Sequence, residues 1–214
     1  MKIEINHEVY NPIQACLNGD SATESQWLDM LNPVSGYDIE GLNTSYMIRD
    51  AYVDRIGYSI YTSESLDALA IYLKNKKVLE LGSGSGFLSS QLEKRGVDIM
   101  AIDNCSTHKF QECFKRDVTG DALCYINENT EYTDIILSWP PYMDAFATDV
   151  FDKLKPGTTI WYLGEGAGGC CADDFFFTKL EEHALYLDVP SKNLNQHHVQ
   201  FKGLHDYWQV YKKD

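Results

Sequence analysis

The chain is predicted to be an α/β domain built on a mainly parallel sheet. Strand and helix signals alternate from residue 63 onward, and the apolar runs end in loops of unusual composition. Such alternation calls for crossover helices, which cover a parallel sheet on both faces. At 214 residues, 44% of them hydrophobic, the chain can bury one sizeable core.

The elements justify themselves in order. Residues 1–62 are polar and broken by Pro12 and Pro33, which predicts an extension of short helices. Within it Tyr46, Arg49, Tyr52 and Arg55 recur every third residue and are expected near one helical face. Residues 63–75 read as a helix capped near Thr62 or Ser63, with Leu66, Leu69, Ala70 and Leu73 on its apolar side. The run Val78-Leu79-Glu80-Leu81 is a strand feeding the loop Gly82-Ser83-Gly84-Ser85-Gly86, and Phe87 begins a helix. A second strand over 97–102 ends at Asp103, and a β-branched run over 133–137 is a buried strand. Residues 144–154 form a helix stopped by Pro156-Gly157. Residues 158–163 are the fifth strand, and 184–189 is expected to pair with 207–212 as antiparallel strands.

Four loops carry the chemistry. Glycines at a strand-to-helix turn permit positive φ and let a ligand approach without a Cβ in the way. The Gly82–Gly86 loop lacks the Gly-Lys-Ser/Thr ending of a phosphate-binding P-loop, and Phe87 stands where a dinucleotide fingerprint needs glycine or alanine. With Glu80 before it, the G-x-G-x-G form resembles motif I of the class I S-adenosylmethionine (SAM) methyltransferases. Asp103 lies 21 residues after Gly82, and a carboxylate there can accept both hydroxyls of a ribose. Asp121, followed by Ala122, matches the position at which SAM enzymes of this class accept from the adenine amino group. Ser138-Trp139-Pro140-Pro141-Tyr142 ends the fourth strand abruptly, because neither proline can donate to the ladder. This segment resembles the Asp/Asn-Pro-Pro-Tyr motif of amino methyltransferases, with Trp139 at the Asp/Asn position. The stretch from Gly164 to Asp174 holds four glycines and three more carboxylates, a loop folded closely over something before a helix that Asp173 can cap.

These motifs, together with Tyr58-Ser59-Ile60-Tyr61-Thr62-Ser63-Glu64-Ser65-Leu66 ahead of them, form an ordered set over about residues 46–210. The set is similar to a family of small, largely uncharacterised SAM-dependent methyltransferase-like proteins. The resemblance implies a Rossmann-like class I methyltransferase fold with strand order 3-2-1-4-5-7-6. The domains expected are a helical extension or lid over 1–62 and a SAM-binding domain over 63–214. It implies SAM held by Glu80, Gly82, Gly84, Gly86, Asp103, Asp121, Ala122 and Ser138. Trp139, Tyr142 and Glu165 are the candidate catalytic residues beside an acceptor. In the lid reading an arginine of 49 and 55 faces the methionine carboxylate of SAM.

Net charge and cysteine usage narrow the partners. A net charge of −14 weighs against nucleic acid, whose phosphates call for Lys/Arg contacts, and Lys74-Asn75-Lys76-Lys77 is the only dense basic run near the core. Acidity favours a cationic or neutral acceptor. Six cysteines show no paired Cys/His spacing, so no metal site is expected and reduced thiols fit a cytoplasmic setting. No membrane-length apolar run is present. The leading expectation is methyl transfer to a small molecule or a protein side chain. A nucleic-acid amino (adenine N6-like) methyltransferase and a non-catalytic SAM-binding regulatory module stand as alternatives.

Overall fold

The computed structural model describes residues 11–32, 39–106, 109–129 and 131–214. Pro33 and residues 1–10 of the expected extension lie outside the described residues. Three helices, α1 (Pro12–Leu17), α2 (Glu24–Leu31) and α3 (Ile39–Val53), precede α4 (Ser63–Leu73). Then follow β1 (Lys77–Leu81), α5 (Phe87–Lys94), β2 (Asp98–Asp103), β3 (Val118–Thr119), α6 (Ala122–Glu128), β4 (Asp134–Ser138), α7 (Phe146–Lys153) and β5 (Thr159–Gly164). The chain closes with α8 (Asp174–His183), β6 (Ala184–Tyr186), α9 (Asp188–Asn195) and β7 (Tyr207–Lys213).

The seven strands form one sheet in the order β3-β2-β1-β4-β5-β7-β6, as the resemblance implies. β3, β2, β1, β4 and β5 run parallel, and β7 is antiparallel to both β5 and β6. After β3 the chain crosses back to β4 on the far side of β1. That reversal opens a crevice at the carboxyl ends of β1 and β4.

Alternation along each strand divides the core between two faces. Val78, Ile136, Trp161 and Leu163 join one buried cluster, whereas Leu79, Leu81, Ile135, Leu137, Ile160 and Tyr162 join the other. The first face is covered by α4, α5 and α9 and by the described part of the extension, through Trp27, Tyr52, Ile56 and Ile60. Trp27 meets Tyr52 edge-on at 5.4 Å, and Phe201 packs 5.4 Å from Tyr52. Polar groups set the helix starts. Thr23 and Gln26 form a reciprocal capping box on α2, and Thr62 accepts from Ser65 N at 3.1 Å at the start of α4.

Two expectations change. Tyr46, Arg49, Tyr52 and Arg55 do not share a face: Tyr46 is 45% exposed while Tyr52 is fully buried. Steps of three residues each fall about 60° short of a full turn, so three steps carry the side chain to the opposite side of a helix. Arg55 lies beyond α3 and pairs with Glu112 at 3.0 Å, and Arg49 pairs with Asp50 at 3.3 Å. Residues 188–189 belong to α9 instead of extending β6. No helix occurs among the described residues of 104–117, the crossover from β2 to β3. This segment packs along the glycine loop, with Phe114 N donating to Ser85 O at 2.8 Å and Arg116 Nη2 to Gly84 O at 2.8 Å. No described helix is long and apolar enough to cross a membrane.

Candidate active site

The loops after β1, β2, β3 and β4 surround a cavity of about 690 Å³ at the carboxyl end of the sheet. Gly82, Gly84 and Gly86 have φ of 72°, 57° and 72°, the left-handed region that glycine enters without a Cβ penalty. Their reasons differ. A Cβ on Gly86 would lie 1.7 Å from the carbonyl oxygen of Lys115, and one on Gly84 would lie 2.5 Å from the Phe110 ring. The Lys115 backbone therefore requires glycine at Gly86, while at Gly84 the Phe110 ring would have to shift and the positive φ favours glycine as well. Gly82 and Gly84 line the cavity and Gly86 does not.

Glu80 is buried at the end of β1 and reaches into the first turn of α5. Its Oε2 accepts from Ser89 N at 3.1 Å and from the Ser89 hydroxyl. Burial pushes its carboxyl up to about 7; the Ser89 hydrogen bonds oppose that shift and the charge of Asp103 adds to it. Asp103 accepts from Gly84 N at 2.7 Å through Oδ2 and from Cys105 N at 2.6 Å through Oδ1. It thus ties the glycine loop to the end of β2, and a carboxylate has lone pairs beyond these two for further donors. Asp121 caps α6, accepting from Leu123 N at 2.7 Å, and Ala122 beside it is buried. Ser83, 8% exposed and lining the cavity, has a hydroxyl with no partner among the described residues.

The opposite wall comes from β4. Ser138 shares a 2.8 Å hydrogen bond with Tyr61, whose hydroxyl burial holds firmly protonated. Trp139 adopts φ of 50°, a left-handed conformation rare for a bulky residue. Its backbone N–H donates to Leu163 O at 2.8 Å. Its indole Nε1 donates to Ser59 Oγ at 2.5 Å and lies 3.4 Å from Asp206 Oδ2. Ser59 in turn donates to Asp206 at 2.5 Å, and His198 Nε2 lies 3.3 Å from the same oxygen. Burial raises the Asp206 carboxyl, but contact with His198 and the bonds from Ser59 and Trp139 outweigh it, so the pKa is lowered. The Trp139 ring stacks on Tyr58, with centroids 5.4 Å apart and planes 20° from parallel. Tyr142, 59% exposed, stands at the rim.

Glu165 is a correction. It does not line the cavity; it is buried, and its carboxylate accepts from Cys170 N at 2.8 Å and His205 N at 3.0 Å. The glycine-rich loop after β5 closes over this side chain and over the tail. A Cβ on Gly169 would sit 2.5 Å from Glu165 Cβ, and one on Gly166 would sit 2.7 Å from the Tyr207 hydroxyl. Gly164, Gly166 and Gly169 thus answer to neighbours within the chain, whereas Gly168 has open space around it and a φ of 81°. Ala172 N donates to Pro140 O at 3.1 Å and Met143 N to Ala172 O at 2.8 Å, which zips this loop to the Pro-Pro-Tyr loop.

Of the residues singled out in the sequence, Glu80, Gly82, Gly84, Asp103, Asp121, Ala122, Ser138, Trp139 and Tyr142 line one cavity. Tyr58, Tyr61, Phe110, Phe146, Asp144 and Asp149 line it as well and received no role from the sequence. The paired tyrosines of Tyr58-Ser59-Ile60-Tyr61 were the visible signal. With the sheet order and the reversal at β1 and β4 in view, the architecture is settled.

The chain has the Rossmann-like class I methyltransferase fold.

No family model matches the sequence. A stretch of 115 residues, half of the chain, is 24% identical to the biotin biosynthesis bifunctional protein BioHC of Cellvibrio japonicus (strain Ueda107). The match spans 23% of that protein's length. Among solved structures, 98% of the chain aligns with 93% of the 1,6-didemethyltoxoflavin-N1-methyltransferase of Burkholderia thailandensis, at 15% identity and a TM-score of 0.44. A SAM-dependent methyltransferase from Archaeoglobus fulgidus aligns over 71% of this chain and 95% of its own, at 15% identity and a TM-score of 0.43.

Proposed function

We propose that the chain is a SAM-dependent methyltransferase acting on a small molecule or a protein side chain in the cytoplasm. One observation carries this reading. Residues far apart in sequence, from the glycine loop to Asp103, Asp121 and the Ser-Trp-Pro-Pro-Tyr loop, line a single cavity at the switch point of the sheet. The donors and acceptors there suit a nucleoside with a charged tail. Asp103 has acceptor capacity for ribose hydroxyls, Asp121 stands at the start of α6 for the adenine side, and the Ser83 hydroxyl awaits a polar partner.

When bound, SAM supplies an electrophilic methyl group; the chain's own residues bind and orient. Glu80 and Asp103 hold the glycine loop and the first turn of α5 in place. Trp139 and Tyr142 bound the acceptor half of the cavity, where alignment of the reacting atoms to about 3–3.5 Å is the main catalytic demand. The extension contributes Tyr58 and Tyr61 to the wall, and in this reading residues 1–62 act as a lid on the domain of 63–214.

A second reading, a SAM-binding module without transfer, draws on Trp139. Its side chain brings no oxygen to accept from a target amine, and its indole N–H is turned toward Ser59. Calorimetry with SAM tests the cofactor, and a labelled-SAM acceptor screen separates the two readings. Wild type should bind, and Asp103→Ala should lose about 1.5–3 kcal/mol of binding free energy with the charge-assisted acceptor. Unchanged affinity in Asp103→Ala would sink the cofactor assignment.

A further inference from the structure

The segment that leads from α3 to α4 is attached on both sides of the cavity. Asp54 O accepts from Gln111 N at 3.0 Å and Ile56 O accepts from the Ser85 hydroxyl, which ties residues 54–56 to the glycine-loop side. Two residues on, the Tyr58 ring meets Phe110 edge-on at 6.2 Å and stacks on Trp139 at 5.4 Å. The Ser59 hydroxyl accepts from the Trp139 indole and donates to Asp206, while the Ser59 carbonyl accepts from the buried Tyr52 hydroxyl at 2.9 Å. Ile56, Gly57, Tyr58, Phe110 and Trp139 all line the cavity.

Trp139 depends on these attachments. Its φ of 50° is rare for a bulky residue and persists only where the surroundings hold it. An indole side chain turns about two torsions, and a ring on its face together with a hydrogen bond at its edge fixes both. Tyr58 supplies the face and Ser59 the edge, so one dipeptide sets the ring. The same Tyr58 touches Phe110, whose ring leaves no room for a Cβ on Gly84. Packed rings transmit displacement because they cannot interpenetrate. A ligand that moves the glycine loop at Gly84 thereby presses on Phe110, then Tyr58, then Trp139.

We infer that Tyr58 and Ser59 are positioning residues: together they set the Trp139 ring, and through Phe110 they make its placement respond to a nucleoside held at the glycine loop. The inference rests on the methyltransferase reading for what that nucleoside is. It gives the reaction an order, in which the cofactor shapes the Trp139 wall before an acceptor meets it.

Fluorine NMR of the full chain labelled with 5-fluorotryptophan tests this without an acceptor in hand. The chain has four tryptophans, and Trp139→Phe identifies the resonance of interest. Trp27 and Trp161, both buried, report any general loss of structure. Without ligand, Ser59→Ala should displace the Trp139 resonance alone of these three, and Ser59→Thr, which keeps the hydroxyl, should restore it. With saturating S-adenosylhomocysteine the Trp139 resonance should move in wild type and in Tyr58→Phe, and severalfold less in Tyr58→Ala. Phe110→Leu, which cuts the chain of rings at its other end, should act like Tyr58→Ala. A Trp139 resonance unmoved by bound S-adenosylhomocysteine, or moved equally far in Tyr58→Ala and Phe110→Leu, would overturn the inference. So would an unliganded resonance that Ser59→Ala leaves in place, or a Ser59→Ala spectrum in which Trp27 and Trp161 shift as well. Failure of wild type to bind S-adenosylhomocysteine would instead sink the cofactor reading, while the unliganded Ser59 comparison still decides how Trp139 is held.

Discussion

The two sides of the cavity reach the same backbone conformation by different means. On the β1 side the left-handed residues are Gly82, Gly84 and Gly86; on the β4–β5 side they are Trp139, Met143 and Ala172, with φ of 50°, 53° and 55°. Glycine enters this region freely, while a residue with a Cβ pays about 1–2 kcal/mol. Such strain persists only where the surroundings over-determine it. Here they do. Met143 and Ala172 are held by the hydrogen bonds that zip their loops, and Trp139 by Leu163 O, Ser59 and Asp206. A glycine loop can thus be written into local sequence, whereas the opposing wall depends on a network assembled from distant parts of the chain.

The largest expected effect would break the glycine side. Gly86→Ala places a methyl group within the Lys115 carbonyl at a positive φ, and should cost more than about 4 kcal/mol in denaturant unfolding. A loss under about 1 kcal/mol would mean that the 104–117 segment yields easily. The next effect strikes the other wall. Asp206→Ala removes the buried acceptor of the Ser59 hydroxyl, which itself holds the Trp139 indole, and should cost about 1–3 kcal/mol, read by the same unfolding measurement. A neutral outcome would remove the network as the source of order at Trp139.

Glu80 sharpens the comparison through pH. Its raised pKa means that the folded state binds its proton more tightly than the unfolded chain. Its contribution is therefore full below about 4.5 and is lost as pH rises from 4.5 to about 7. The loss amounts to at most about 3 kcal/mol at neutral pH. Unfolding curves across that window should show the slope in wild type and a flatter profile in Glu80→Gln; identical profiles would contradict the burial argument. The smallest effect concerns strain alone. Trp139→Asn and Trp139→Ala both lose the Tyr58 stack, but asparagine accepts the left-handed region, so it should be the more stable by roughly 1 kcal/mol. Equal stability of the two would show that the loop relaxes once the indole is gone.

How much was legible follows the same division. Gly82, Gly84, Asp103, Asp121 and Tyr142 were placed from the sequence because each sits at a strand end, and strand ends are readable from apolar runs. Glu165 looked equally well placed after β5, yet its carboxylate turns away to Cys170 and His205. A strand end locates a Cα; it does not say which backbone donors will claim the side chain. The periodicity of Tyr46, Arg49, Tyr52 and Arg55 misled for a related reason, since spacing by three drifts around the helix while burial selected Tyr52 alone.

The order of elements, and the end of the sheet at which the unusual loops fall, follow from the amino-acid sequence alone. Apolar period, capping residues and glycine–proline punctuation act over a few neighbours, and the right-handed crossover rule carries them to a topology. Which groups meet depends on the packed core. Ser59, His198 and Asp206 converge on Trp139 from segments up to 147 residues apart, and nothing local to any of them encodes the encounter. Buried polar atoms find partners only where the packed sheet and tail bring them together, and the bonds that join Trp139, Ser59 and Asp206 Oδ2 can form only once the whole core has formed.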